Sequence, residues 1–165
     1  MSCDLSAEYT LPKIKSKFKG EHKASFSAVN KTMLSYYDST VFDGSKEPER
    51  HFGSMKRQEG TLLKSFKQRF FLLQSGVLMV YRSEDDYNDG KEEMELIALQ
   101  ATFSVSNVNC KGKAVPDLSL CVLDSEDPKF EILLQCDDKT VLHNWRHHLK
   151  QNLAYVEYKA AHLLC

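Results

Sequence analysis

Two histidines one helical turn apart, His143-x-x-x-His147, have the spacing of a pair of metal ligands. The glutamate that a zinc protease places after the first histidine is missing, and Asn144 stands there instead. At about 100° per residue both rings fall roughly 160° from Trp145, so they are expected on the exposed outer face of a helix, with no metal between them. The five cysteines are Cys3, Cys110, Cys121, Cys136 and Cys165. They include no Cys-x-x-Cys pair, and their odd number speaks against a disulfide framework or a zinc knuckle. Cys121 and Cys136 lie in apolar, strand-like runs and read as small core residues. Cys110 beside Lys111 is mildly electropositive, but reads as an inert loop cysteine. Gly112 is isolated, so no glycine-rich phosphate cradle is expected, and no Ser or Cys sits in a nucleophile elbow. These residues predict a non-enzymatic chain with no catalytic residue, cofactor or metal.

A second chemistry is electrostatic. Lys13, Lys15, Lys17, Lys19 and Lys23 lie within eleven residues and face one opposing charge, Glu21. Near an anionic leaflet each cation contributes about 1 kcal/mol, so the run is a candidate auxiliary membrane patch that needs a second anchor. The whole chain of 165 residues carries a formal charge of −1, which gives no global pull toward nucleic acid. No apolar run approaches the ~20 residues of a membrane span, and Met1 to Leu5 lack the pattern of a secretion signal. The expectation is a cytoplasmic protein that works at membrane surfaces. Ser2 excludes N-myristoylation, Cys165 as the last residue is not a prenylation box, and Cys3 is a weak palmitoylation candidate.

The elements that must position these groups change character near Met55. Residues 1–54 form a polar, basic extension. Within it Phe26, Val29, Met33 and Tyr36 recur at helical spacing, and Asp38 to Ser54, with Gly44, Pro48 and Gly53, reads as a linker. Residues 55–158 hold seven short β-rich runs and then one helix, and 159–165 form a tail. The strands expected are Gly60–Lys64, Arg69–Leu73, Val77–Tyr81, Met94–Ala98, Phe103–Val108, Leu118–Leu123 and Phe130–Cys136. Ser75-Gly76 is a tight turn, and Asn88-Asp89-Gly90 is a turn inside the acidic stretch Ser83 to Glu93. Asp137-Asp138 supplies a helix N-cap, after which Leu142, Trp145, Leu149 and Leu153 recur at helical spacing. The fold class is therefore mainly β: a seven-stranded antiparallel barrel or sandwich capped by a C-terminal α-helix, with Trp145 as the plug in its structural core.

This order of motifs resembles the pleckstrin-homology (PH) domain. Glu59-Gly60-Thr61-Leu62-Leu63-Lys64 resembles its first strand and Lys67-Gln68-Arg69-Phe70-Phe71-Leu72-Leu73 its second. Val77-Leu78-Met79-Val80-Tyr81 resembles its third, and Trp145 stands where the family's helix carries a tryptophan. The resemblance spans about Met55 to Val156. It implies headgroup contacts from basic residues at the end of strand one and on strand two, here Lys64, Lys67 and Arg69. Arg grips a phosphate through two parallel hydrogen bonds and Lys adds point charge.

Three features depart from the lipid-binding pattern. The loop between the first two strands is expected to be only Ser65-Phe66, Val80 stands where a tyrosine often joins the site, and the next loop is acidic from Glu84 to Asp89. They point away from a tight inositol-phosphate pocket and toward weaker contact with a phosphoinositide or phosphatidic acid in an anionic membrane. The alternative is a protein-interaction module on the same scaffold. Its partner would add a strand beside Phe103–Val108 and the outer helix face, or dock on the acidic loop.

Overall fold

The computed structural model describes residues 41–107 and 114–163. The lysine run 13–23, the helical spacing of 25–37, Cys3, Val108, the loop 110–113 and Cys165 lie outside the described residues. Seven strands form one antiparallel sheet: β1 His51–Glu59, β2 Ser65–Gln74, β3 Val77–Tyr81, β4 Glu95–Ala98, β5 Phe103–Asn107, β6 Ser119–Asp124 and β7 Glu131–Gln135. Their order is β4-β3-β2-β1-β7-β6-β5. A short helix, α1 (Glu84–Asn88), follows β3, and a long one, α2 (Lys139–His162), ends the fold.

The two halves of the sheet share one interior. Val80 and Ile97 from the β4 side belong to the same buried cluster as Leu120, Val122 and Ile132 from the β6 side. A sheet whose opposite edges contribute to one core has curled into a barrel. Helix α2 closes one end of it. Asp138 caps α2 by accepting hydrogen bonds from the amides of Thr140 and Val141 at 2.7 and 3.2 Å. Leu142, Trp145 and Leu149 are buried, and Leu153 and Val156 pack against the same core.

The expected turn at Ser75-Gly76 is present. Both residues adopt positive φ, 51° and 81°, the backbone that suits a two-residue hairpin. Glycine is needed at the second position, where a Cβ would lie 2.5 Å from Val156 Cγ2. The Gly76 amide donates to Oδ1 of the fully buried Asn152 at 2.8 Å, and Asn152 Nδ2 donates to the His148 carbonyl. This polar bridge ties the β2–β3 hairpin to α2.

The first strand corrects the sequence reading. β1 occupies His51–Glu59, beginning inside the stretch 38–54 read as a linker, and Gly60 to Lys64 form the hairpin turn that follows it. Consequently the β1–β2 loop is not Ser65-Phe66, which belong to β2. The physical reason lies in the inner row of β1. Gly53 and Met55 face Trp145 and the core, whereas Arg57 and Glu59 reach the open end of the barrel, where an inward side chain meets water. Beyond Met55 the strand therefore has no apolar alternation. Leu62-Leu63, which imitated a strand, stand in solvent at the hairpin tip. The acidic stretch is also more ordered than a plain loop: Ser83 accepts from the Asp86 amide and starts α1.

Candidate functional site

The open end of the barrel carries the basic residues. Strand register places Arg57 opposite Lys67, Met55 opposite Arg69 and Glu59 opposite Ser65. Met55 and Phe71 point into the core, so by the two-residue period Arg57, Glu59, Ser65, Lys67 and Arg69 line the same inner face nearer the mouth. Lys64 is exposed at the end of the hairpin turn, with no carboxylate at ion-pair distance among the described residues.

Three of these cations have carboxylate partners. Arg69 grips Glu59 with Nε and Nη2 at 2.8 and 2.7 Å, and Lys67 Nζ lies 3.7 Å from the same carboxylate. Arg57 forks onto Glu95 of β4. These strand and turn residues bring four cations, Arg57, Lys64, Lys67 and Arg69, together with two anions, Glu59 and Glu95, and the two guanidiniums are held in place by those carboxylates. Two oxygens of a phosphate can accept the same pair of parallel guanidinium hydrogen bonds that Glu59 and Glu95 accept here.

Sequence reasoning singles out Lys64, Lys67 and Arg69 but not Arg57, because it places the first strand at Gly60–Lys64, beyond the end of β1. The signal that finds it is register: Arg57 is the cross-strand partner of Lys67. Val80, at the position where a hydroxyl was sought, is a buried core residue. Helix α1, the first part of the acidic run, lies outside the barrel. Tyr87 of α1 stacks on Phe70 at 5.0 Å and meets Tyr81 edge-on at 5.3 Å, which puts α1 on the outer face of the sheet.

The histidines also differ from expectation. His143 and His147 are half-buried rather than exposed, and residues 42–44 run along the His147 face of α2. Phe42 packs edge-on against His147 at 5.0 Å, and a Cβ on Gly44 would strike the Ala154 carbonyl oxygen. Behind them His51 stacks on His148 with centroids 4.0 Å apart and meets Trp145 edge-on at 4.5 Å. Burial, reinforced by the two neighbouring imidazoles, lowers the His51 pKa to about 4, and burial also lowers those of His147 and His148. Among the described residues no group of three His, Cys, Asp or Glu side chains is arranged to hold a metal ion. Burial pushes the Cys121 and Cys136 thiols up to about 12, so both stay protonated and unreactive at neutral pH.

A seven-stranded antiparallel barrel closed by a C-terminal helix is the architecture of a PH domain. The PH domain family model matches residues 49–154, and the chain belongs to the PH domain family. Solved structures of similar fold include three PH domains. That of human oxysterol binding protein-related protein 11 has TM-score 0.55 and 16% identity over 72% of this chain and 90% of that one. That of human pleckstrin homology domain-containing protein family A member 5 has TM-score 0.52 and 15% identity over 84% and 91%. The pleckstrin homology domain of ArhGAP27 has TM-score 0.51 and 15% identity over 64% and 99%. No curated protein matches the sequence. PH domains are generally non-enzymatic modules that commonly bind phosphoinositides or mediate protein interactions.

Proposed function

We propose that this domain is a peripheral membrane module that docks on anionic phospholipid through the β1–β2 hairpin. The observation that carries the reading is the hairpin tip. Leu62 and Leu63 are 96% and 88% exposed, and Lys64 follows them directly at the rim of the basic mouth. Leucines exposed beside a cation cluster fit a water–lipid boundary, where the apolar side chains enter the acyl region and the cations meet the phosphates. Full burial of each leucine contributes about 1.5–3 kcal/mol, and each cation about 1 kcal/mol. Neither term alone anchors a protein stably, but the two together do.

The headgroup class is a phosphoinositide or phosphatidic acid, bound by Lys64, Lys67, Arg69 and Arg57. Its phosphate exchanges with Glu59 and Glu95 for the two guanidiniums, which keeps affinity modest and salt-sensitive. Lys13, Lys15, Lys17, Lys19 and Lys23 serve as the auxiliary patch on the same leaflet, adding avidity.

Vesicle co-sedimentation at low and high salt tests the reading. The parent should sediment with vesicles containing phosphatidic acid or a phosphoinositide, and less so at high salt. Leu62→Ser with Leu63→Ser should abolish sedimentation without altering the fold. Lys64→Ala with Arg69→Ala should remove the preference for anionic vesicles. Wild-type sedimentation by both double variants would overturn the assignment.

A further inference from the structure

The outer face of the β1–β4 half of the sheet is apolar where an antiparallel sheet facing water is ordinarily polar. Strand register sets Phe52, Leu72, Met79 and Leu96 side by side in a single row across all four strands. The two ends of the row stand open: Phe52 is 52% and Leu96 56% exposed. Met94, two residues before Leu96 on the same face, is 51% exposed. The neighbouring row, Phe70 and Tyr81, is covered by Tyr87 of α1 and is buried. Leu72, at the centre of the first row, is buried in the same cluster and Met79 packs against it, so this apolar face is covered at its middle and open at its two ends, Phe52 and Met94-Leu96.

The open β4 end has a charged border. Residues 82–93 carry six carboxylates, Glu84, Asp85, Asp86, Asp89, Glu92 and Glu93, against two cations, Arg82 and Lys91. Lys91 is engaged by Asp86 and Asp89. Glu92 and Glu93 lead directly into Met94 and β4, and Glu84 and Asp85 are exposed on α1. At the β1 end, Arg50 lies over the Phe52 ring at 5.8 Å. A contiguous apolar row with a polar border is the signature of an interaction surface.

We propose that this face docks an amphipathic, positively charged segment of a partner protein. Its apolar side covers Phe52, Met79 and Leu96, and its Lys and Arg side chains meet the acidic border of residues 82–93. Charge selects this occupant. An anionic leaflet is repelled by the border, and a second copy of the chain brings the same net negative border to the contact. The surface is separate from the mouth, whose side chains point to the other face of the sheet.

The test is a titration of the isotope-labelled full chain, followed by NMR, with two designed amphipathic helical peptides of equal length. One carries Leu and Lys, the other Leu and Glu. The Leu/Lys peptide should shift the amide signals of Phe52, Leu72, Met79 and Leu96 and weaken as salt is raised; the Leu/Glu peptide should not bind. Leu96→Ser is a solvent-facing change that should leave the spectrum folded and weaken the Leu/Lys peptide at least tenfold. Replacing Glu92 and Glu93 together with Gln should weaken it further. Equal binding of both peptides, shifts mapping elsewhere, or Leu96→Ser binding as well as the parent would overturn the proposal. So would self-association without peptide that Leu96→Ser abolishes, since it would show a second copy as the occupant.

Discussion

The two ends of the barrel are built by the same pair of strands to opposite specifications. Along the inner row of β1, His51 and Gly53 meet the Trp145 indole at the closed end, Met55 fills the middle, and Arg57 and Glu59 reach the mouth. On β2 the same row runs from Leu73 and Phe71 at the closed end to Arg69 and Lys67 at the open one. At the closed end the imidazoles are pressed toward neutrality by burial. At the mouth the guanidiniums are paired with carboxylates. The closed end supplies stability through apolar burial. The mouth keeps fixed charges near water, where opposed pairs add little stability but can be exchanged for a ligand.

Three changes break or sharpen this contrast. Trp145→Ala has the largest effect: the side chain is 1% exposed and touches His51 and Phe71. It should cost about 3–5 kcal/mol in urea unfolding, enough to threaten folding of a marginally stable domain. A loss under about 1 kcal/mol would mean that the helix does not seal this end.

Acidification comes next. A histidine in the unfolded chain titrates near 6.5, whereas folded His51 titrates near 4. Between these values the unfolded chain binds the additional proton. The stability linked to His51 is therefore complete above about pH 6.5 and is lost as pH falls toward 4. Between neutral pH and about pH 4.5 His51 should account for about 2 kcal/mol of lost stability, allowing for its partial exposure. His51→Gln should flatten that portion of the pH profile, read from urea midpoints. An unchanged slope would show that the ring is not held neutral.

The smallest effect is at the mouth. Glu59→Gln removes the counter-ion of Arg69 and Lys67 and should cost about 1 kcal/mol or less in stability. It should raise affinity for anionic vesicles about fivefold, from roughly 1 kcal/mol of freed attraction. Weaker vesicle binding by this variant would show that Glu59 orients the arginine for the ligand rather than competing with it.

Much of the architecture was legible in local patterns. Strands β2 and β3, the turn at Ser75-Gly76, the Asp138 cap and the α2 stripe with Trp145 each carry their own periodicity or turn chemistry. Cys121 and Cys136 were readable as core for the same reason. β1 was not, because at the mouth its inner residues are charged and its outer ones polar. Arg57 went with it.

The sequence by itself determined the fold class, the plug and the basic pair Lys67 and Arg69, because short-range spacing sets strand, turn and helix. Only the tertiary structure decided which cations converge, which carboxylates hold them, and that Phe42 packs on His147. It also revealed the apolar row from Phe52 to Leu96, open at its two ends. Each of these depends on register and packing between segments far apart in the chain, and spacing within one segment does not encode where another will land.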